Sequence, residues 1–352
     1  MKVLSVVGAR PQFIKLAPVS RYLRTRHREV LVHTGQHYDA NMSDIFFQQL
    51  RIPTPDYHLG VGSGPQGRQT GEMLIALEEI VARERPGWVI VYGDTNSTLA
   101  GALAASKSHI PLLHIEAGLR SFNRRMPEEI NRIVTDHLST LLCCPTATAV
   151  ANLAREGIVR GVHHTGDVMY DAVLHNADLA RCESTILAEL GCQPGGYLLA
   201  TVHRAENTDD PARLGGIVVA LNALTEPVVL PLHPRTRKAV AEAGFAFGPH
   251  VRIIAPVSYL DMLALEMHAR LILTDSGGVQ KEAYFLGVPC VTLRDDTEWV
   301  ETVTAGWNIL VGTDAARIAA AVRDFCPQGE RPAFFGDGNA HRAIVELLDA
   351  GI

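Results

Sequence analysis

The chain has 352 residues, with 32 Lys and Arg against 38 Asp and Glu, and a formal charge of −6. Its hydrophobic fraction is 47% and its mean hydropathy +0.08, which fits a globular protein too long for one core and predicts two domains of roughly 150 to 200 residues. The acidic balance excludes a general nucleic-acid surface, and no apolar run of about 18 residues offers a membrane span.

Taken in chain order, "MKVLSVVGARPQF" has too short an apolar stretch before Arg10 and Pro11 for a signal peptide and reads as a first strand. Further strands of a first sheet are expected at 29–34, 88–93, 111–116 and 141–146, with helices at 97–108 and 127–139 between them. The series restarts after "GDVMYDAV", with strands at 197–202, 227–232, 251–256, 271–275 and 289–293 and a final helix at 339–351. Alternation of this kind implies an α/β chain of two Rossmann-like, doubly wound domains facing across a cleft. We place the boundary at Gly166, giving an N-terminal domain 1–166 and a C-terminal domain 167–352 whose last helix has the option of packing back on the first.

Six cysteines without a C-x-x-C pair, two of them adjacent at Cys143 and Cys144, read as reduced thiols in a cytoplasmic protein. The histidine pairs His163/His164 and His33/His37 lack a convincing third ligand, so no metal is expected.

Polar residues gather where the strands should end, which is where such sheets bind ligands. Arg10 and Lys15 follow the first strand in "GARPQFIK", either as solvated cations or as a pair aimed at a diphosphate. Asp94 follows "VYG", where an N-cap is the plain alternative. Glu116 ends "HIE", and Glu128 with Arg132 stands at i, i+4 on the next helix, a spacing that sets carboxylate and guanidinium on one face. Asp94, Glu116 and Glu128 around one pocket would push each other's pKa values apart, leaving one as acid and another as base. In the second half, "LTDSGGVQKEA" leaves an apolar strand through Ser276, Gly277 and Gly278, so helix N–H groups can meet phosphate, and Glu282 can accept from ribose hydroxyls. This is not a dinucleotide fingerprint, because G-x-G-x-x-G is missing at that turn. His203 in "TVHRAEN" and His233 in "LPLHPRT" complete the set.

With "GARPQFIKLAP", "TGQHYD", "GDTNST", "HIEAGLR", "PEEINR", "TGD", "HRAEN", "LTDSGGVQKEA" and "GVPCVTLRDDTE" in one order over nearly the whole length, the chain resembles the non-hydrolysing UDP-N-acetylglucosamine 2-epimerases, which have a GT-B-type fold. The resemblance implies interconversion of UDP-GlcNAc and UDP-ManNAc by anti elimination of UDP to 2-acetamidoglucal and re-addition. It implies no cofactor and a homodimer. Asp94, Glu116, Glu128 and His203 become catalytic candidates, with Arg10, Lys15, Arg132, Ser276, Gly277, Gly278 and Glu282 on substrate and UDP. Many bacterial members carry "QHR" and "HRREN" where this chain has "QHYD" and "HRAEN". Those arginines belong to a substrate-activation site, of which Gln36, His37, Arg68, Gln69, Arg204 and His233 would be the remnant, so weakened activation is expected. Arg124 and Arg125 in a short basic segment resemble branches acting on 3-acetamido uronic acids, with a solvated loop as the plain alternative. A hydrolysing epimerase releasing ManNAc, a GT-B glycosyltransferase and a nucleotide-sugar sensor are the competing expectations.

Overall fold

A computed structural model describes residues 1–36, 47 and 49–351. The first sheet is parallel, with strands β1 (Lys2–Val7), β2 (Arg28–His33), β3 (Tyr57–His58), β4 (Trp88–Tyr92), β5 (Leu112–Ile115), β6 (Leu141–Cys144) and β7 (Val162–His164) in the order β3-β2-β1-β4-β5-β6-β7. The second is also parallel, with β8 (Leu198–Thr201), β9 (Val228–Pro231), β10 (Val251–Ile254), β11 (Leu271–Thr274), β12 (Cys290–Thr292) and β13 (Asn308–Leu310) in the order β10-β9-β8-β11-β12-β13. Helices cover both faces of such sheets, so KVLSVV and LILT run apolar without alternation and are buried nearly throughout. The ten strands expected from sequence are present. β3, β7 and β13, at two or three residues each, are too short to show a pattern.

Contacts divide the chain into a first unit, Met1–Ala172 with Ala333–Ile352, and a second, Val173–Pro332. Leu4, Val6, Val32, Val89 and Val91 meet Met73 and Leu77 in a core of the first unit. Leu198, Leu230, Leu271 and Leu273 meet Leu214, Ile217 and Ile318 in that of the second. Within the first unit the closing helix Ala340–Ala350 lies on the helix Arg10–Leu23. Asp349 there reaches Arg26 Nη2 at 2.7 Å and His27 Nε2 at 2.9 Å.

All six cysteines are free: Cys143, Cys144 and Cys290 are buried strand residues, whereas Cys182 and Cys326 are exposed. In each sheet the strand order reverses once, between β1 and β4 and between β8 and β11. At these switch points the loops leave in opposite directions and open a crevice beyond the carboxyl ends of the strands.

Candidate functional site

In the first unit the turn after β1 is closed by its own helix. Gly8 N and Ala9 N donate to Gln12 Oε1 at 2.7 and 3.0 Å, and Gln12 Nε2 donates to the Tyr92 carbonyl at 2.8 Å. The two strands flanking the switch point are therefore tied together by one amide side chain. One turn into that helix, Lys15 forms an ion pair with Glu116 at the end of β5, and both residues are only 8% exposed. A pair this buried is costly to break, because removing one partner takes away the other's compensation where water cannot replace it.

Backbone geometry makes room for it. Gly93 has φ +63°, and a Cβ placed there would stand 3.2 Å from Glu116 Oε2 and 3.3 Å from Lys15 Nζ. Glu116 itself has φ +73°, a left-handed conformation that costs a residue with Cβ about 1–2 kcal/mol and marks a constrained position.

Next in the chain, Asp94 Oδ2 lies 2.5 Å from Arg132 Nη2, and Arg132 Nη1 lies 3.3 Å from Glu129 Oε2. Asn131 Nδ2 donates to the Asp94 carbonyl at 3.0 Å and to Asn96 Oδ1 at 3.1 Å, while Asn96 Nδ2 donates to Gln69 Oε1 at 2.8 Å. Asp94 is thus fixed at backbone and side chain and still keeps 31% of its side chain accessible. Glu129 is 1% exposed and accepts from Ser121 N, Ser121 Oγ and Phe122 N, each at 2.9 Å. Glu128, one residue earlier on the helix Pro127–Leu138, is exposed, and Arg10 opens the helix after β1 half-buried.

The second unit uses a buried acid differently. Asp275, at the end of β11, is fully buried and accepts from His203 N, Arg204 N and Asn207 Nδ2 at 3.1 Å. It fixes the turn after β8 and leaves the His203 ring 44% exposed, with Nδ1 3.4 Å from Asp275 Oδ1. The rings of His203 and His233 are 6.4 Å apart and border a cavity of about 170 Å³, whose other walls include Thr201, Pro256, Met262 and Val279. Ser276 caps the helix Gly277–Leu286 by accepting from Val279 N at 3.4 Å. A Cβ on Gly277 would stand 3.3 Å from Trp299 Nε1, so a side chain there would crowd that ring.

Glu282 is buried on this helix, where Tyr259 Oη donates to it at 3.1 Å. Burial pushes its carboxyl up to about 7, and burial beside Glu282 raises that of Glu266 further. Two carboxyls sharing one dry pocket hold a proton between them. Lys281 instead stacks on the Trp299 ring, 3.9 Å from its centroid.

Of the residues read as a regulatory remnant, Gln36 Oε1 accepts from Ser97 N and Oγ at 3.0 and 2.7 Å, and Gln69 Nε2 donates to the Gly62 carbonyl at 2.6 Å. Arg68 is exposed and bonded to Glu72 at 2.7 Å. Arg204 and His233 belong to the second unit, and His37 lies outside the described residues.

The UDP-N-acetylglucosamine 2-epimerase family matches residues 22–349. The chain belongs to that family. It is 54% identical over 354 residues to a UDP-N-acetylglucosamine 2-epimerase homolog of Methanococcus maripaludis, covering 99% of each chain. It is 52% identical over 358 residues to the UDP-2,3-diacetamido-2,3-dideoxy-D-glucuronate 2-epimerase of Pseudomonas aeruginosa, again covering 99% of each. A crystal structure of the Methanocaldococcus jannaschii UDP-GlcNAc 2-epimerase in complex with UDP-GlcNAc and UDP superposes with a TM-score of 0.93 at 44% identity, covering 100% of both chains. Like these 2-epimerases, the chain is an enzyme of GT-B-type fold built from two parallel-sheet domains.

Several residues at these strand ends of the epimerase fall within the quoted motifs, but their roles are not legible there. Glu129, Asn96 and Asn131 sit inside helices, where a polar residue reads as solvated, and the packing that buries them is tertiary. Asp275 was legible only as the last residue of a strand, although it is the carboxylate that shapes the His203 turn.

Proposed function

We propose that this chain inverts C2 of a UDP-linked 2-acetamido sugar. A carboxylate removes the C2 proton as the C1–O bond to UDP breaks, giving a 2-acetamidoglucal. A carboxylic acid then protonates C2 on the opposite face while UDP oxygen re-forms the bond at C1. Asp94 and Glu116 are the acid/base pair, with Glu128 as the exposed third candidate. Lys15 and Arg132 offset charge as the diphosphate departs. His203, Ser276, Gly277, Gly278 and Glu282 serve the nucleotide, with Arg10 as a further phosphate contact.

The observation that carries this reading is the placement of Lys15–Glu116 and Asp94–Arg132 at the carboxyl ends of β1, β4 and β5, where β4 adjoins the switch point. Two acids, each against its own cation and separated in the chain by the Gly93 turn, suit removal of one proton and delivery of another.

Two sugars fit the relatives' names. UDP-GlcNAc is the sugar of the archaeal 2-epimerase at 44% identity, and a 2,3-diacetamido uronate that of the relative at 52%. The uronate is favoured by the turn from Ser121 to Met126. That turn hangs on Glu129, the partner of Arg132, and carries exposed Arg124 and Arg125, which suit a C6 carboxylate.

Proton NMR in D2O, run on both UDP-sugars in parallel, tests the proposal. Deuterium entering C2 with UDP retained is expected. Stoichiometric release of free UDP, or turnover without exchange at C2, overturns it, and a faster rate on UDP-GlcNAc overturns the preference for the uronate. We further propose a homodimer, checked by light scattering.

A further inference from the structure

His114 is completely buried on β5, two residues before Glu116. Its Nε2 lies 2.7 Å from the Gly93 carbonyl oxygen and its Nδ1 2.7 Å from Asp136 Oδ1. A carbonyl oxygen only accepts, so Nε2 carries a hydrogen. The other oxygen of Asp136 takes Arg120 Nη1 at 2.7 Å and Gly118 N at 3.2 Å. With a guanidinium and a backbone N–H already donating to its other oxygen, Asp136 faces the ring as an acceptor, and Nδ1 donates to it as well.

Arg120 also reaches Glu156 through Nε and Nη2, both at 2.7 Å, and His137 Nε2 lies 3.9 Å from the same carboxylate. The Cys144 thiol beside Asp136 is pushed up to about 12 by burial and so stays neutral.

What this ring grips is the peptide on which the candidate acid/base groups converge. The Gly93 N–H donates to the Ile115 carbonyl at 2.9 Å, and its carbonyl accepts from His114, so the residue is held through both its backbone polar groups. Gly93 is the left-handed residue against which Lys15 and Glu116 close, and Asp94 follows it directly. We propose that His114 is a positioning residue, a buried imidazolium braced by Asp136 and Arg120, which through the Gly93 carbonyl sets the aim of Asp94 and of the Lys15–Glu116 pair. It touches no substrate. This rests on the reading of Asp94 and Glu116 as acid and base.

The test has two arms on the full chain. In the wild type, nitrogen-15 NMR of the His114 ring should show two exchange-protected N–H groups at neutral pH; a single N–H on this ring overturns the proposal. In kinetics, H114F should lower kcat about tenfold to a hundredfold with KM within about threefold, the size expected when reacting groups shift by about an ångström. Affinity for UDP alone should stay within twofold, and H114Q, which can still donate to one acceptor, should recover part of the loss. A kcat for H114F within twofold of wild type overturns it. So does a parallel fall of kcat, UDP affinity and Tm that H114Q does not relieve, because that is a purely structural role. D94N separates this proposal from the one beneath it: if D94N turns over normally the acid/base reading fails, whereas if D94N is inactive and H114F is not, only the positioning role fails.

Discussion

Six strands of the first sheet repeat the order of the second, each sheet reversing once, yet the acids at their switch points are partnered differently. In the first unit the acids are matched by cations: Glu116 against Lys15, Asp94 against Arg132, Asp136 against Arg120. In the second, Asp275 spends its oxygens on backbone N–H groups, while Glu266 and Glu282 share a pocket with too little positive charge and hold a proton between them. One architecture therefore supports two chemistries, and side chains just past the strands decide which. The first suits moving protons on a substrate. The second suits gripping something through fixed N–H groups and buried oxygens.

The sharpest way to break this contrast is D94N. We expect kcat to fall by about 10²–10⁴-fold, the usual weight of a general acid or base, with affinity for UDP alone unchanged by titration calorimetry. Weakened UDP binding in D94N would mean that the proton-moving and gripping roles are not divided this way. D275A should do the reverse. Loss of the acceptor for His203 N, Arg204 N and Asn207 Nδ2 strands three donors, at about 1–3 kcal/mol each where water cannot replace it. UDP affinity and Tm should both drop, with any decrease in kcat small beside that of D94N.

G93A comes next. Ala at φ +63° costs about 1–2 kcal/mol, and its methyl would press on Lys15 and Glu116, so a Tm loss of a few degrees with about tenfold lower kcat is expected.

The pH dependence follows from Glu282. Its folded pKa of about 7 exceeds the ordinary unfolded value of about 4.3, so the folded chain binds more protons in that interval. Stability should fall as pH rises from about 4.3 through 7, seen as a declining Tm between pH 5 and 8. E266Q, which donates to Glu282 without competing for charge, should flatten that decline. The smallest effect belongs to R68A, which breaks an exposed, solvent-screened i, i+4 pair and should leave Tm essentially unchanged. Its rate curve should stay hyperbolic with and without trace UDP-sugar; a sigmoidal wild-type curve would show that substrate activation survives.

The expected strand ends and the residues just beyond them were legible because glycine, proline and charge interrupt apolar runs there. Gly8-Ala9-Arg10, Gly93-Asp94 and Asp275-Ser276-Gly277 all announce themselves in this way. The partnerships were not. The i, i+4 spacing points Glu128 toward Arg132, but the geometry places Asp94 and Glu129 on that guanidinium, since i, i+3 neighbours share a face as well and a cross-element acid outranks both in proximity. His114 lies inside an apolar run and Glu266 inside "LALEMH", so each reads as an exception in a buried segment whose partner lies on a different element.

The helix Ala340–Ala350 belongs to the first unit although about 160 residues of the second precede it in the chain. On a ribosome the second unit can be completed as one uninterrupted stretch, whereas the first must wait, with the surface of its helix Arg10–Leu23 uncovered, until Ala340–Ala350 has been made. A chain cut shortly before Ala340 would accordingly injure the first unit, while the second is already complete at Pro332.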